Sequence, residues 1–156
     1  MNNDQVCFTY EGALEAAIEM EEEGFRNYLK ALHTVQQKGA KEILRENALD
    51  ELNHKHQLEK ALVEGQMEAS ELQKLLPTMN LGAIFPKKEL GPASGVREAL
   101  LYAIHLEKEA VEFYGKVADG CAGAPMAALF ARLKAEESSH LQRLEDLYEA
   151  HFMTEN

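Results

Sequence analysis

AIEMEEEGFRNY at residues 17–28 and AIHLEKEAVEFY at residues 103–114 align without a gap, with Ala, Ile, two Glu and Tyr coinciding. In each copy one glutamate falls in step with apolar neighbours three and four residues away. Glu21 sits in the series Leu14, Ile18, Phe25, Tyr28 and Leu32, and Glu107 in the series Leu100, Ile104, Val111 and Tyr114. Such spacing marks one face of an α-helix turned toward a core. An acid therefore stands on a face that ought to be apolar, twice.

Further along the chain each copy is followed by a Glu-x-x-His pair, Glu51/His54 and Glu137/His140. Glu21 maps on Glu107, Tyr28 on Tyr114, Glu51 on Glu137 and His54 on His140, all at one offset of 86 residues. The neighbours follow too, since Asp50-Glu51-Leu52-Asn53-His54 aligns on Glu136-Glu137-Ser138-Ser139-His140. Residues three apart share nearly one helix face, so each Glu-x-x-His offers a carboxylate and an imidazole to one ion. Two such pairs plus a lone Glu from each of two other helices form the ligand set of a carboxylate-bridged two-metal site inside a four-helix bundle.

The rest of the chain is consistent with that architecture. Gly (10) and Pro (4) are sparse, the 156 residues are 46% hydrophobic, and the Ala, Leu, Glu and Lys bias favours helix. An all-α fold of one domain over 1–156 is expected: a helix pair at 10–65, a crossover at 66–94 and a second helix pair at 95–153. Within these, helix 1 is predicted at 10–37, helix 2 at 40–63 ending near Gly65, and the last helix at 125–152 with Leu144 and Leu147 facing inward. Gly39 and the stretch from Gly120 to Gly123 mark the two hairpin turns. The Pro- and Gly-punctuated crossover, with a short helix predicted at Ala69 to Leu76, is long enough to travel the length of the bundle between helices 2 and 3.

Composition excludes several classes of function. A net charge of −11, from 16 Lys+Arg against 27 Asp+Glu, gives no basic face for nucleic acid or an anionic membrane surface. No apolar stretch approaches the ~20 residues that span a bilayer, and no basic-then-apolar leader opens the chain. Cys7 and Cys121 stand apart with no Cys-x-x-Cys, so neither a zinc ribbon nor a rubredoxin-type iron centre can be built. Both are read as free thiols of a reducing compartment, and a cytoplasmic protein is expected.

An ionised carboxylate in an apolar seam is strongly disfavoured unless paired, hydrogen-bonded or metal-bound. Two divalent ions would cancel the four charges of Glu21, Glu51, Glu107 and Glu137, which makes metal part of what stabilises the core. Carboxylate and imidazole suit iron(II), manganese(II) or zinc(II), and iron is the first choice for its redox chemistry. The expected roles are Glu21 and Glu107 as terminal ligands, Glu51 and Glu137 as bridges, and His54 and His140 as caps.

Four further residues are candidates for supporting that set. Asp50 and Glu136 could accept the distal N–H of a ligand histidine, or could be plain surface charge. Tyr28 and Tyr114, two turns from Glu21 and Glu107, could hydrogen-bond a ligand carboxylate or sit beside an oxidising intermediate, or could be core tyrosines whose hydroxyls merely find a partner. His56 and His105 are turned about 160° from the site by helical geometry and are read as surface or flank residues. His33 and His151 are assigned to helix ends, and Glu22 and Glu23 to solvent.

On these paired motifs the chain resembles the ferritin-like superfamily, and within it is most similar to the rubrerythrins. The phrases AIEMEEEGFRNY, AIHLEKEAVEFY and AEESSHLQRLEDLYE carry the likeness across nearly the whole chain. The resemblance implies a ferritin-like bundle with two iron ions and an oxidoreductase that reduces hydrogen peroxide, or reacts with dioxygen, using electrons from outside. Rubrerythrins usually carry a fused rubredoxin-like domain. With no cysteine pairs here, a separate donor such as a rubredoxin-like protein is implied. Rubrerythrins also tend to carry another acidic ligand one turn after the helix-3 Glu, where this chain has Ala110, so the symmetric six-ligand set looks closer to bacterioferritin. A homodimer is expected. The competing functions are a ferroxidase that stores iron, disfavoured by the lack of a short fifth helix, and a module that binds iron without turnover.

Overall fold

A computed structural model of the chain describes residues 9–65 and 78–153. Four long helices, α1 (Tyr10–Thr34), α2 (Lys38–Glu64), α4 (Val96–Gly120) and α5 (Pro125–Tyr148), form two hairpins, α1 with α2 and α4 with α5. A single turn of helix, α3 (Leu81–Ile84), lies in the crossover between them. The chain is an all-α, ferritin-like four-helix bundle with one long crossover.

Helix ends follow local chemistry. Thr9 Oγ1 accepts from Gly12 N (3.1 Å) to start α1, and Gln37 Oε1 accepts from Ala40 N (2.8 Å) to start α2. The first hairpin turn is thus at 35–37, ahead of the predicted position. Gly39 lies inside α2, where a Cβ would come within 2.7 Å of Val96 Cγ2 on α4. α2 ends at Gly65 in the left-handed conformation (φ 82°), as a glycine C-cap allows. At the head of α4, Glu98 Oε1 accepts from Gly95 N (3.1 Å). The chain beyond Tyr148 continues as a π-helical turn, Glu149–Met153, so α5 ends short of the predicted 152. Within α5 Leu147, expected to face inward, is exposed, and Tyr148 is buried in its place.

Two apolar clusters fill the bundle. Tyr28, Leu44, Leu100, Ile104, Leu144 and Tyr148 belong to one, and Leu14, Leu58, Tyr114, Phe130 and Leu133 to the other. The crossover packs on the first cluster through Leu81, Phe85 and Leu90. It is held by Glu145 of α5, whose Oε1 accepts from Thr78 Oγ1 (2.7 Å) and Met79 N (3.2 Å), and whose Oε2 accepts from Leu81 N (3.0 Å). His105 Nε2 lies 2.8 Å from Phe85 O, and Arg97 Nε donates to Tyr148 Oη (2.9 Å). His105, expected as a surface or flank residue, is therefore a buried clasp between α4 and the crossover.

Two expectations about composition fare differently. Among the described residues no helix is long and apolar enough to cross a membrane. Cys121, buried where α4 ends, is disulfide-bonded and not a free thiol, and the inference to a reducing compartment goes with it. Cys7 and the short helix predicted at 69–76 lie outside the described residues.

Candidate metal centre

The four long helices each bring an acid to one level of the bundle. Glu21, Glu107 and Glu137 are each 1% exposed and Glu51 is 6% exposed, in the midst of apolar neighbours. Ligand-type atoms of Glu21, Glu51, His54 and Glu137 all lie within 4.8 Å of one another, as do those of His54, Glu137 and His140. His54 Nδ1 is 3.6 Å from Glu21 Oε2 and 3.4 Å from Glu137 Oε1, and His140 Nδ1 is 3.7 Å from Glu137 Oε2. These distances are too long for good hydrogen bonds. The two imidazoles stack, with centroids 4.7 Å apart and planes 12° from parallel.

Each tyrosine reaches across the bundle. Tyr28 of α1 donates to Glu107 Oε1 of α4 (3.1 Å), and Tyr114 of α4 donates to Glu21 Oε1 of α1 (3.1 Å). Sequence spacing put each tyrosine near the glutamate of its own helix, whereas the acceptor belongs to the symmetry-related one. Burial, with facing carboxylates added, pushes both hydroxyls well above the usual tyrosine range, so they remain protonated donors.

Glu21 Oε2, His54 Nδ1, Glu107 Oε2, Glu137 Oε2 and His140 Nδ1 are buried and make no hydrogen bond. An unpartnered buried polar atom costs about 1–3 kcal/mol. Five at one level, one from each of five residues, share a single remedy: a cation accepting their lone pairs. Oxygen and imidazole nitrogen with no sulfur is a donor set for iron, manganese or zinc ions, and the residues fit two of them.

The protons tell the same story. Burial drives Glu51 and Glu137 well above the usual carboxylate range, reinforced by Glu21 beside Glu51 and by Glu107 beside both. Burial opposes ionisation of Glu21 as well, but the neighbouring Glu51 carboxyl and His54 imidazole outweigh it and bring Glu21 down to about 2. Burial would depress His54, yet Glu21 raises it; His140 is lowered, chiefly by burial. Without metal, four clustered carboxyls cannot all be ionised, and protons occupy the place of cations.

The supporting candidates are placed differently from one another. Asp50 turns Oδ2 to Arg143 of α5 (3.0 Å) near the surface. Glu136 pairs with Arg132 (3.4 Å), lines a polar recess outside the two histidines, and its charge helps to raise His54. His33, His56 and His151 are exposed, as is Glu23, while Glu22 pairs with Arg26 and Lys55. Two residues escaped the sequence reading. Glu145 shares the inward register of α5 with Leu141, Leu144 and Tyr148, and that register was its only signal. Gly24 lies where a Cβ would stand 3.1 Å from Glu51 Cδ and 3.2 Å from Glu51 Oε2, so the bare backbone of α1 lets that carboxylate lie against it.

Fold and donor set together fit a four-helix carboxylate protein of the two-metal class. The chain belongs to the rubrerythrin family, whose family model matches residues 12–155. No curated protein and no solved structure is significantly similar to it.

Proposed function

We propose that this protein is a di-iron oxidoreductase that reduces hydrogen peroxide, or dioxygen, with electrons supplied by a separate donor such as a rubredoxin-like protein. The observation that carries the reading is the set of five orphaned buried donor atoms on Glu21, His54, Glu107, Glu137 and His140. Glu21 and Glu107 would hold one ion each from the side, Glu51 and Glu137 would bridge, and His54 and His140 would cap. Bound iron supplies electrons to the oxidant and polarises its O–O bond.

The chain's own residues supply the remainder. Tyr28 and Tyr114 fix one oxygen of Glu107 and of Glu21, leaving the other oxygen of each turned to the centre. Glu51 and Glu137 give up their protons as cations bind, so metal affinity rises with pH. In the overall reaction hydrogen peroxide takes two electrons from the donor and two protons, its O–O bond breaks, and two waters leave.

The test is metal analysis of protein purified without added metal, then anaerobic iron loading and stopped-flow mixing with each oxidant. Reoxidation faster with peroxide than with dioxygen supports the scavenger. The reverse order replaces it with a ferroxidase, and no reoxidation by either leaves a protein that only binds iron.

A further inference from the structure

Two openings lead toward the centre. Between α2 and α5 a polar recess of about 230 Å³ ends on the imidazoles of His54 and His140. A molecule there meets the stacked rings, not the carboxylates. Between α1 and α4 a narrower cleft of about 70 Å³ is walled by Met20, Gly24, Leu106 and Ala110, with Glu21 and Glu51 also in its lining. Those two carboxylates are its most buried members, at 1% and 6% exposure, and so form its floor.

We propose that the α1–α4 cleft is the port through which the oxidant reaches the centre, and that Gly24, Leu106 and Ala110 restrict it to hydrogen peroxide and dioxygen, excluding alkyl hydroperoxides. This rests on the function proposed above. The cleft is open to water-sized molecules, which leaves room for a peroxide molecule, yet it has less than a third of the volume of the histidine-side recess. A tertiary alkyl group would have to follow the peroxide between Met20, Leu106 and Ala110. Met20, Gly24, Leu106 and Ala110 are uncharged and offer no hydrogen-bonding side chain, which suits a small neutral molecule, while Asn27 and the exposed Glu23 complete the lining. Glu109 also borders the cleft, with its Oε1 2.8 Å from Lys87 Nζ of the crossover. Gly24 and Ala110 are symmetry mates in the repeat and both border the cleft, so the passage lies where the two halves carry their smallest side chains.

The port is tested by narrowing and by widening it. Ala110→Val narrows the cleft and Leu106→Ala enlarges it; neither replaces any of the six metal-binding side chains, and cobalt(II) stoichiometry equal to the parent's verifies that the centre is intact. In cobalt-loaded protein, azide binding followed by the visible absorption bands is expected to slow about tenfold in Ala110→Val. In iron-loaded protein the parent should reduce tert-butyl hydroperoxide at least about tenfold more slowly than hydrogen peroxide, and Leu106→Ala should close that gap. Equal rates for both peroxides in the parent overturn the proposal. So does azide binding that ignores Ala110→Val and instead slows in Ser139→Leu, which blocks the histidine-side recess. If Ala110→Val fails to fold, Leu106→Ala still decides. If the iron-loaded parent reduces no peroxide at all, the function proposed above fails, while the azide measurement still decides the port.

Discussion

The two halves of the repeat behave alike at mid-bundle and differently where the crossover lies. Tyr28 and Tyr114 make the same bond at the same 3.1 Å, each to the other's glutamate. One turn and more beyond the second Glu-x-x-His the likeness ends: Glu145 is buried and holds three donors of the crossover, whereas its mate Glu59 is exposed. His105 is a buried clasp while its mate Glu19 is exposed. Symmetry is kept in the crossed tyrosine–glutamate bonds beside the candidate metal centre, and it is broken where only one half has a loop to bind.

That contrast can be attacked directly. The largest effect belongs to the ligand carboxylates. Glu51→Gln or Glu137→Gln should each weaken metal binding by more than about 100-fold, while raising the melting temperature of the metal-free protein, because a buried acid that opposes its neighbours is removed. Titration with metal and calorimetry of the apoprotein measure both, and unequal losses for the two mates would break the symmetry claimed for the centre.

Next comes the loop. Glu145→Ala leaves the Thr78 hydroxyl, the Met79 amide and the buried Leu81 amide without an acceptor and should cost about 2 kcal/mol in denaturant unfolding. Its mate Glu59→Ala should stay within about 0.5 kcal/mol. Similar losses from both would mean that the crossover is not held as described.

The apoprotein should also show an inverted pH response. Glu51 and Glu137 are raised in the folded state, so their contribution to stability is complete below the unfolded value near 4.5 and is lost as pH rises through their folded values. Glu21, at about 2 when folded, contributes above 4.5 and loses that contribution as pH falls toward 2. Melting temperature of metal-free protein should therefore climb by several degrees from pH 7 to pH 5 and fall again below pH 4. Metal-loaded protein should show no such climb, since the cations have displaced the protons. A monotonic decline of the apoprotein from pH 7 downward would contradict the assigned shifts.

The smallest effect is the sharpest test of equivalence. Tyr28→Phe and Tyr114→Phe should each cost about 1 kcal/mol in the apoprotein, and the two values should agree within error of chemical denaturation. A large difference would show that one half governs the centre.

The bundle and the convergence of acids and imidazoles at its centre were legible because they are written twice and because a helix converts spacing into a face. Glu21 and Glu107 stand in apolar series that admit one reading, and the two Glu-x-x-His pairs follow at the same interval. Glu145 obeys the same register, but nothing in the other half repeats it, and a repeat cannot report what only one copy does. The partner of each tyrosine was hidden for a related reason: spacing along one helix says which face a hydroxyl occupies, not which of two facing helices it bonds. Leu147 and Tyr148 stand three and four residues after Leu144, both intervals fit one helix face, and apolar periodicity alone does not choose between them. The disulfide-bonded state of Cys121 was not disclosed by its spacing or its neighbours in the sequence.

The crossed tyrosines have a consequence for how the molecule could be divided. Cut in the crossover, either hairpin alone would carry a tyrosine with nothing to donate to and a glutamate with nothing to steady it. Two unlike hairpins, or two copies of one, would restore both bonds on meeting. Assembly from fragments should therefore be all or none at the centre, with no half-occupied form along the way.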